Sequence, residues 1–273
     1  MLLRETGFAF NGIHSYGQMG FYYSESGAAH TAWPQVTRSE YEIAGRSGTV
    51  LMPGEQLKTL TFSGALYPRQ EPKSQADAQR MIRRAQEWLL AGRCPLVFDY
   101  EPEVYYLAQL SRAAQWSLKN WFGGELSISF DAQPYAYAAA ETKATAATTG
   151  TSVRLSLRMA TLWPAPINLK ITNTGTDMPI TDVSVRLNDE EMITLSGYTS
   201  FTRLVKMYLN SDTPAGCELE NSVGKWSGMM RATKFQPMMA AQGENRIDVT
   251  LTYSATATGT PGASIEAAAR GRW

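Results

Sequence analysis

The sequence holds little of what metal centres and nucleophilic active sites are usually built from. Its 273 residues include two histidines, His14 and His30, and two cysteines, Cys94 and Cys217. The histidines show no HxH or HExxH spacing, so metal ligation is not expected of them. The cysteines are far apart with no CxxC, which argues against a disulfide framework or a zinc site and leaves two small buried thiols. Long apolar runs are missing as well. The opening MLLRETGFAF has no apolar stretch of signal-peptide length and nowhere do eighteen apolar residues follow one another, so the chain reads as soluble and made in the cytosol. An excess of charge is also absent: 25 Lys and Arg balance 25 Asp and Glu, and no overall positive field exists to draw in nucleic acid or an anionic membrane. No GxSxG elbow is present, and GRSG at 45–48 lacks the GxxxxGK[ST] pattern of a phosphate loop and reads as a tight turn between strands.

What is present is mostly strand. The length suits two domains, each able to bury a core. Between Tyr135 and Thr151 the chain reads YAYAAAETKATAATTGT, whose small residues suggest a linker or an extended crossing, and the expected division is 1–140 and 141–273. In the first part, SQADAQRMIRRAQEWLL has a helical period that predicts a helix over about 75–91. It puts Met81, Ile82, Ala85, Trp88 and Leu89 on one face and Arg80, Arg83, Arg84 and Glu87 on the other. Ser74 and Asp77 have capping-box spacing, and Gly92 suits a left-handed residue beyond the end. LKTLTFSGAL, Val104 to Leu118 and GELSISF read as strands. The second part alternates in SVRLSLRM, INLKIT, DVSVRL, RLVKMYL and RIDVTLTY, with turn signals at NTGTDMP, LNDEE and QGEN. Short alternating strands at this spacing predict an antiparallel sandwich without a helix.

The stretch CPLVFDYEPEVYYLAQL places Asp99, Glu101 and Glu103 among aromatics, as paired glycosidase carboxylates sometimes are. On a strand the three would project to one side, and Pro102 interrupts such a ladder. The favoured reading is strand, turn, strand, with the acids in a solvated turn and no catalytic residue assigned.

Taken in order, FAFNGIHSYG, IAGRSGTV, the helix ending EWLL, LVFDYEPEVYYLAQL and GELSISFDAQPYAY resemble the N-terminal domain of siphophage distal tail (Dit) proteins over roughly the first half of the chain. NTGTDMPITDVSV and QGENRIDVTLTY resemble the turn, strand and late hairpin of the galectin-like sandwich that ends many of them. The closing SIEAAARGRW departs from that family's more hydrophobic last strand. The resemblance implies a mainly β protein, an N-terminal β-rich domain with one helix followed by a galectin-like antiparallel β-sandwich. It implies an architectural role without enzyme activity, cofactor or metal: a hexameric ring, single or stacked in two, at the virion tail tip or baseplate. Its partners would be copies of itself, the tail tube and tape measure proteins, and tail-associated fibre or receptor-binding proteins, with no nucleic acid and no membrane insertion. Phe10, Asn11, Gly12, Gly45, Arg46, Gly48 and Tyr100 are the motif positions implied to shape or border the ring contact. An alternative is a carbohydrate-binding module that reads host cell-wall glycans, with Trp163 or Trp226 as a stacking platform. Against it, the second half contains no histidine, one of the sugar-reading residues of a galectin.

Overall fold

Phe8 and Phe10 are two apart on a three-residue strand, so both rings point to one side, and a core of aromatic rings assembles around them. The computed structural model describes residues 7–25, 35–37, 40–42, 47, 49–51, 56–111, 115–117, 124–198, 201–213 and 215–273. It divides into two units, Met1–Ala139 and Ala140–Trp273. The protein is mainly β, with antiparallel sheets and a single α-helix among the described residues.

The first unit contains β1 (Phe8–Phe10), β2 (Ile13–His14), β3 (Phe21–Glu25), β4 (Val36–Thr37), β5 (Glu40–Glu42), β6 (Thr49–Leu51), β7 (Gln56–Leu57), β8 (Leu60–Pro68), α1 (Gln75–Leu89), β9 (Cys94–Phe98), β10 (Val104–Leu110), β11 (Gln115–Ser117) and β12 (Glu125–Ala138). Its main sheet runs β2-β1-β9-β10-β12-β8-β3, with β11 beside β12. β1 and β3 lie towards opposite ends of this order, yet the Phe8 and Tyr23 rings meet edge to face at 5.0 Å. The sheet is therefore curled, and its concave side is filled with rings. Phe8 also touches Phe98 and Phe130, at centroid distances of 6.4 and 5.6 Å.

The helix closes this bowl. Ser74 is its N-cap, the hydroxyl accepting from the Asp77 N–H at 3.2 Å, and Gly92 takes the left-handed conformation just past its end. Ala78, Ala85, Trp88 and Leu89 are buried, Met81 and Ile82 half-buried, and Arg80, Arg83, Arg84 and Glu87 exposed. Trp88 stacks on Phe8 at 5.3 Å, and its Nε1–H donates to the Phe10 carbonyl at 2.9 Å. On the rim, Arg84 donates to the Gln18 carbonyl, and Arg69 lies over the Tyr16 ring at 4.8 Å.

The second unit contains β13 (Thr142–Thr148), β14 (Ser152–Met159), β15 (Ala165–Asn173), β16 (Ile180–Leu187), β17 (Glu190–Leu195), β18 (Lys206–Leu209), β19 (Cys217–Glu220), β20 (Lys225–Ser227), β21 (Ala232–Phe235), β22 (Met239–Ala240), β23 (Gly243–Tyr253) and β24 (Ala263–Ala269). One sheet runs β13-β24-β15-β18-β19-β20 with β22 on β15, and the other β14-β23-β16-β17-β21. Their inner faces share one aliphatic core, including Ile167, Leu169, Ile171, Val183, Val185, Ile247 and Val249. The LNDEE signal is a two-residue hairpin: Asn188 and Asp189 both have positive φ, which matches the twist of the paired strands.

Two stretches are more regular than the sequence reading made them. Of the linker or extended crossing read from the Ala and Thr-rich tract, the structure has the extended form: β12 continues to Ala138, the two units divide after Ala139, and β13 begins at Thr142. The tract's alanines, poor strand formers, offset its threonines, and a distant strand, β24, supplies the pairing. The alanine-rich close of the chain is a central strand, with Ala263, Ile265, Ala267 and Ala269 buried. Two asparagine side chains are fully buried. Asn173 donates to the carbonyls of Met178 and Phe201 and accepts from the Gly175 N–H. Asn245 accepts from the Ala241 N–H and donates to the carbonyls of Leu157 and Ala241.

Both cysteines are free. Cys94 is only half-buried, whereas Cys217 is fully enclosed near the Tyr198 hydroxyl, which donates to the Gly228 carbonyl at 2.7 Å. Burial first, and then the Glu218 charge, push the Cys217 thiol up to about 11, with the Tyr198 hydroxyl opposing.

Trp88→Ala is expected to cost roughly 3 to 5 kcal/mol by denaturant unfolding, while Arg83→Ala stays near neutral. Equal losses would mean that the helix faces are misassigned. A second expectation concerns alkali. The folded Cys217 holds its proton to higher pH than the unfolded thiol, so its contribution is intact below the ordinary thiol value of 9.0 and is lost as pH rises towards about 11. Urea titrations across that range should show a shallower decline of stability for Cys217→Ala than for the parent chain.

Candidate functional site

The acid-rich stretch folds as a strand, a turn and a second strand. β9 ends at Phe98, the Glu101 N–H donates back to the Phe98 carbonyl, and β10 starts at Val104. Pairing of β1 with β9 sets Phe8 opposite Phe98 and brings Gly7 and the start of this turn together, the Asp99 N–H donating to the Gly7 carbonyl. β2, folded back along β1, then carries His14 to the same place. Its Nε2 lies 2.9 and 3.2 Å from the two Asp99 carboxylate oxygens. Nδ1 accepts the backbone N–H groups of Tyr16 and Gly17, each at 3.1 Å. That double acceptance fixes the tautomer with the proton on Nε2, donated to Asp99. Both ring nitrogens are engaged, and the pair ties the Tyr16–Gly17 turn to the end of β9.

The other acids have separate surroundings. Glu101 accepts from the Tyr106 hydroxyl at 3.2 Å, and burial, then the nearby Glu101 charge, push Tyr106 up to about 12. Glu103 is exposed, and its carbonyl accepts from the Ala139 N–H. Asp99 is not simply solvated as the sequence suggests; its partner His14 lies 85 residues away, beyond any local pattern. Among the described residues, no group of three or more His, Cys, Asp or Glu side chains could hold a metal ion, and no helix is long and apolar enough to cross a membrane.

Aromatic rings pack on both sides of the strands that flank this turn. Tyr100 is 53% exposed and stacks on Phe98 at 5.1 Å. Tyr105 on β10 lies opposite Tyr137 on β12, their rings stacked at 5.3 Å, with Tyr135 packed edge-on against Tyr137. Single-residue alternation along β10 sends Tyr106 to Phe62 and Phe98 in the core and Tyr105 to the opposite face. The signal for this tyrosine face was the pair of motifs VYYLAQL and QPYAYA, whose register only the strand pairing reveals.

The motif positions are spread out. Phe10 is fully buried, with its ring 5.1 Å from Phe130. Asn11 and Gly12 both have positive φ and form the two-residue turn between Phe10 and Ile13 at one end of β1, where the Asn11 N–H donates to the Pro95 carbonyl. Tyr100 belongs to the opposite end, beyond the Phe8–Phe98 pair. Gly45, Arg46 and Gly48 lie outside the described residues, as does His30. Of the two tryptophans, Trp226 lies on edge strand β20 opposite Leu219, half-buried against the core. Trp163 precedes β15, and its backbone N–H donates to the Arg272 carbonyl. Strands β18 and β19 separate β15 from β20.

A double-mutant cycle on His14→Ala and Asp99→Ala should return a coupling of about 1 kcal/mol, since the pair is charge-assisted but half-exposed. A Cβ at Gly7 would run into the Asp99 carboxylate and the His14 ring. Gly7→Ala should therefore destabilise the parent chain and be milder in the Asp99→Ala background. An equal cost in both would place the effect elsewhere.

No protein-family model matches the sequence, and no curated protein matches it. Among solved structures, the Dit protein of phage SPP1, described as a paradigm of the hub adsorption apparatus in phages that infect Gram-positive bacteria, superposes with a TM-score of 0.62. The match spans 98% of each chain at 13% sequence identity. The insecticidal δ-endotoxin Cry8Ea1 of Bacillus thuringiensis covers 87% of this chain and 41% of its own at 6% identity, with a TM-score of only 0.23, too low to support any comparison. An aromatic-filled β unit with one helix, followed by a two-sheet sandwich, in a chain that superposes on SPP1 Dit along nearly its full length: this protein has a Dit-like fold.

Proposed function

We propose that the chain is a structural hub of a phage or prophage tail tip. In this reading copies of the first unit close into a hexameric ring within the baseplate. The ring joins the tail tube and tape measure proteins to tail-associated fibre or receptor-binding proteins, and the sandwiches offer outer docking surfaces. The observation that carries the proposal is the Dit-like fold over both units, at 98% coverage of each chain. The surface chemistry supports it. Exposed Tyr100 and the solvated Glu103 set an aromatic ring beside a charge on the outside of the turn, a pairing that suits a site where proteins meet. A role without catalysis agrees with the turn, where His14 has no free ring nitrogen and Glu101 is committed to Tyr106. Balanced charge leaves little self-repulsion to oppose assembly.

Native mass spectrometry and electron microscopy of the full chain test this directly. The expected result is a closed six-membered ring, formed also by 1–139 and not by 140–273. A ring contact is heterologous, so one substitution alters every interface at once. Arg46→Glu and Tyr100→Ala are expected to shift the population towards monomer without loss of β-sheet signal in circular dichroism. A chain that stays monomeric at micromolar concentration, alone and with tail tube protein, would count against the hub.

A further inference from the structure

We propose that β13 is a strand-addition edge through which the second units of two copies of this chain pair antiparallel, about a two-fold axis at Thr145. β13 is the first strand of its sheet and is bonded on one side to β24 through seven consecutive pairs, from Thr142 opposite Ala269 to Thr148 opposite Ala263, with no register shift. The strand that follows it in the chain, β14, pairs with β23 instead. Among the described residues, no backbone hydrogen bond reaches the far side of β13. Half of its main-chain donors and acceptors therefore face outward, and such a row is a template for another strand.

The other edges are blunted by familiar means. In the second unit β20 has three residues, and β21 has four, with an irregular register where it meets β17. β14 carries exposed Arg158. In the main sheet of the first unit the end strands β2 and β3 have two and five residues. β13 has seven residues, no proline and no bulge. Its one charge, Lys143, is drawn to Glu266 and Glu141 at 3.1 and 3.5 Å and does not guard the edge.

The order of residues points to the occupant. Turned antiparallel about Thr145, TKATAAT sets Thr142 against Thr148, Lys143 against Ala147, Ala144 against Ala146 and Thr145 against its own copy. No like charges meet, and threonine faces threonine. The faces agree as well: Lys143, Thr145 and Ala147 are exposed, and Ala144 and Ala146 pack on the core, so the two sheets would continue as one. Such a contact is isologous and cannot be one of the successive contacts around a six-fold ring. It goes beyond the hub reading, and it would join free chains in pairs or one ring to another.

The test uses full-length chain at micromolar concentration, oxidised with copper phenanthroline and run on non-reducing gels. Thr145→Cys puts two thiols opposite each other on the axis, with Cβ atoms about 5 Å apart, near disulfide range. Ala147→Cys puts them four residues out of step, about 13 Å apart. The expected result is a cross-linked dimer for Thr145→Cys, and for Ala147→Cys no more than the background set by Cys94 and Cys217 in the parent. In sedimentation velocity, Thr145→Lys should weaken the paired species several-fold with circular dichroism unchanged. A six-fold ring that survives this substitution would show that the two contacts are separate. Cross-linking of Thr145→Cys at the parent level, or equal to that of Ala147→Cys, would overturn the proposal.

Discussion

The stack of Trp88 on Phe8, fixed by the indole N–H on the Phe10 carbonyl, is the contact on which the first unit depends. A sheet curled until its two ends meet has a deep concave side that must be filled, and backbone pairing cannot fill it. Rings of Phe8, Tyr23, Phe62, Phe98 and Phe130 line that space, and the indole closes it from the open side. The same residue supplies a polar anchor, which sets the helix against β1 at one height. β1 is three residues long, and its hold on the sheet comes from β9 on one flank and from this helix above. Through β1, the anchor also supports the hairpin that delivers His14 to Asp99.

The second unit meets the same need with different material. Its sheets face each other, and the space between them is a slab of even thickness that branched aliphatic side chains at every second position can fill. Among its described residues only a three-residue 3-10 turn is helical. On β24 and β13 alanine takes most of the inward positions, with Ile265 among them. The contrast separates an aromatic bowl from an aliphatic sandwich, each made from residues suited to the shape of its cavity.

Local physics made part of this legible in advance. The period of SQADAQRMIRRAQEWLL, the Ser74 cap and Gly92 set the helix, and alternation set most strands of the second unit. Pro102 and the spacing of the acids were enough to place a turn between β9 and β10. What stayed hidden depends on partners distant in sequence. His14 meets Asp99 only because β1 pairs with β9, and the outward face of Tyr105 follows from its register with Tyr137. The tract at 142–148 looked featureless because its alanines, poor strand formers, offset its threonines, which favour strand, and the pairing comes from a strand distant in sequence. Phe10 showed the reverse difficulty: a residue inside a family-like motif turned out to have no exposed surface, so sequence order alone does not say which side of a strand meets the outside.

The two enclosed asparagines act as frame markers. Asn245 sits on a strand whose neighbours on the same face are apolar, and its amide finds partners at Ala241 and Gly243 just before it and at Leu157 across the sheet. Sliding β23 by one residue against β14 would take that amide from the Leu157 carbonyl while turning Ile247 and Val249 outward. An aliphatic layer tolerates near-equivalent packings, because one branched side chain can stand in for another. An unmet amide is not tolerated in that way. The polar pair, Asn173 at one turn and Asn245 at another, thus converts a forgiving interior into one that accepts a single reading frame.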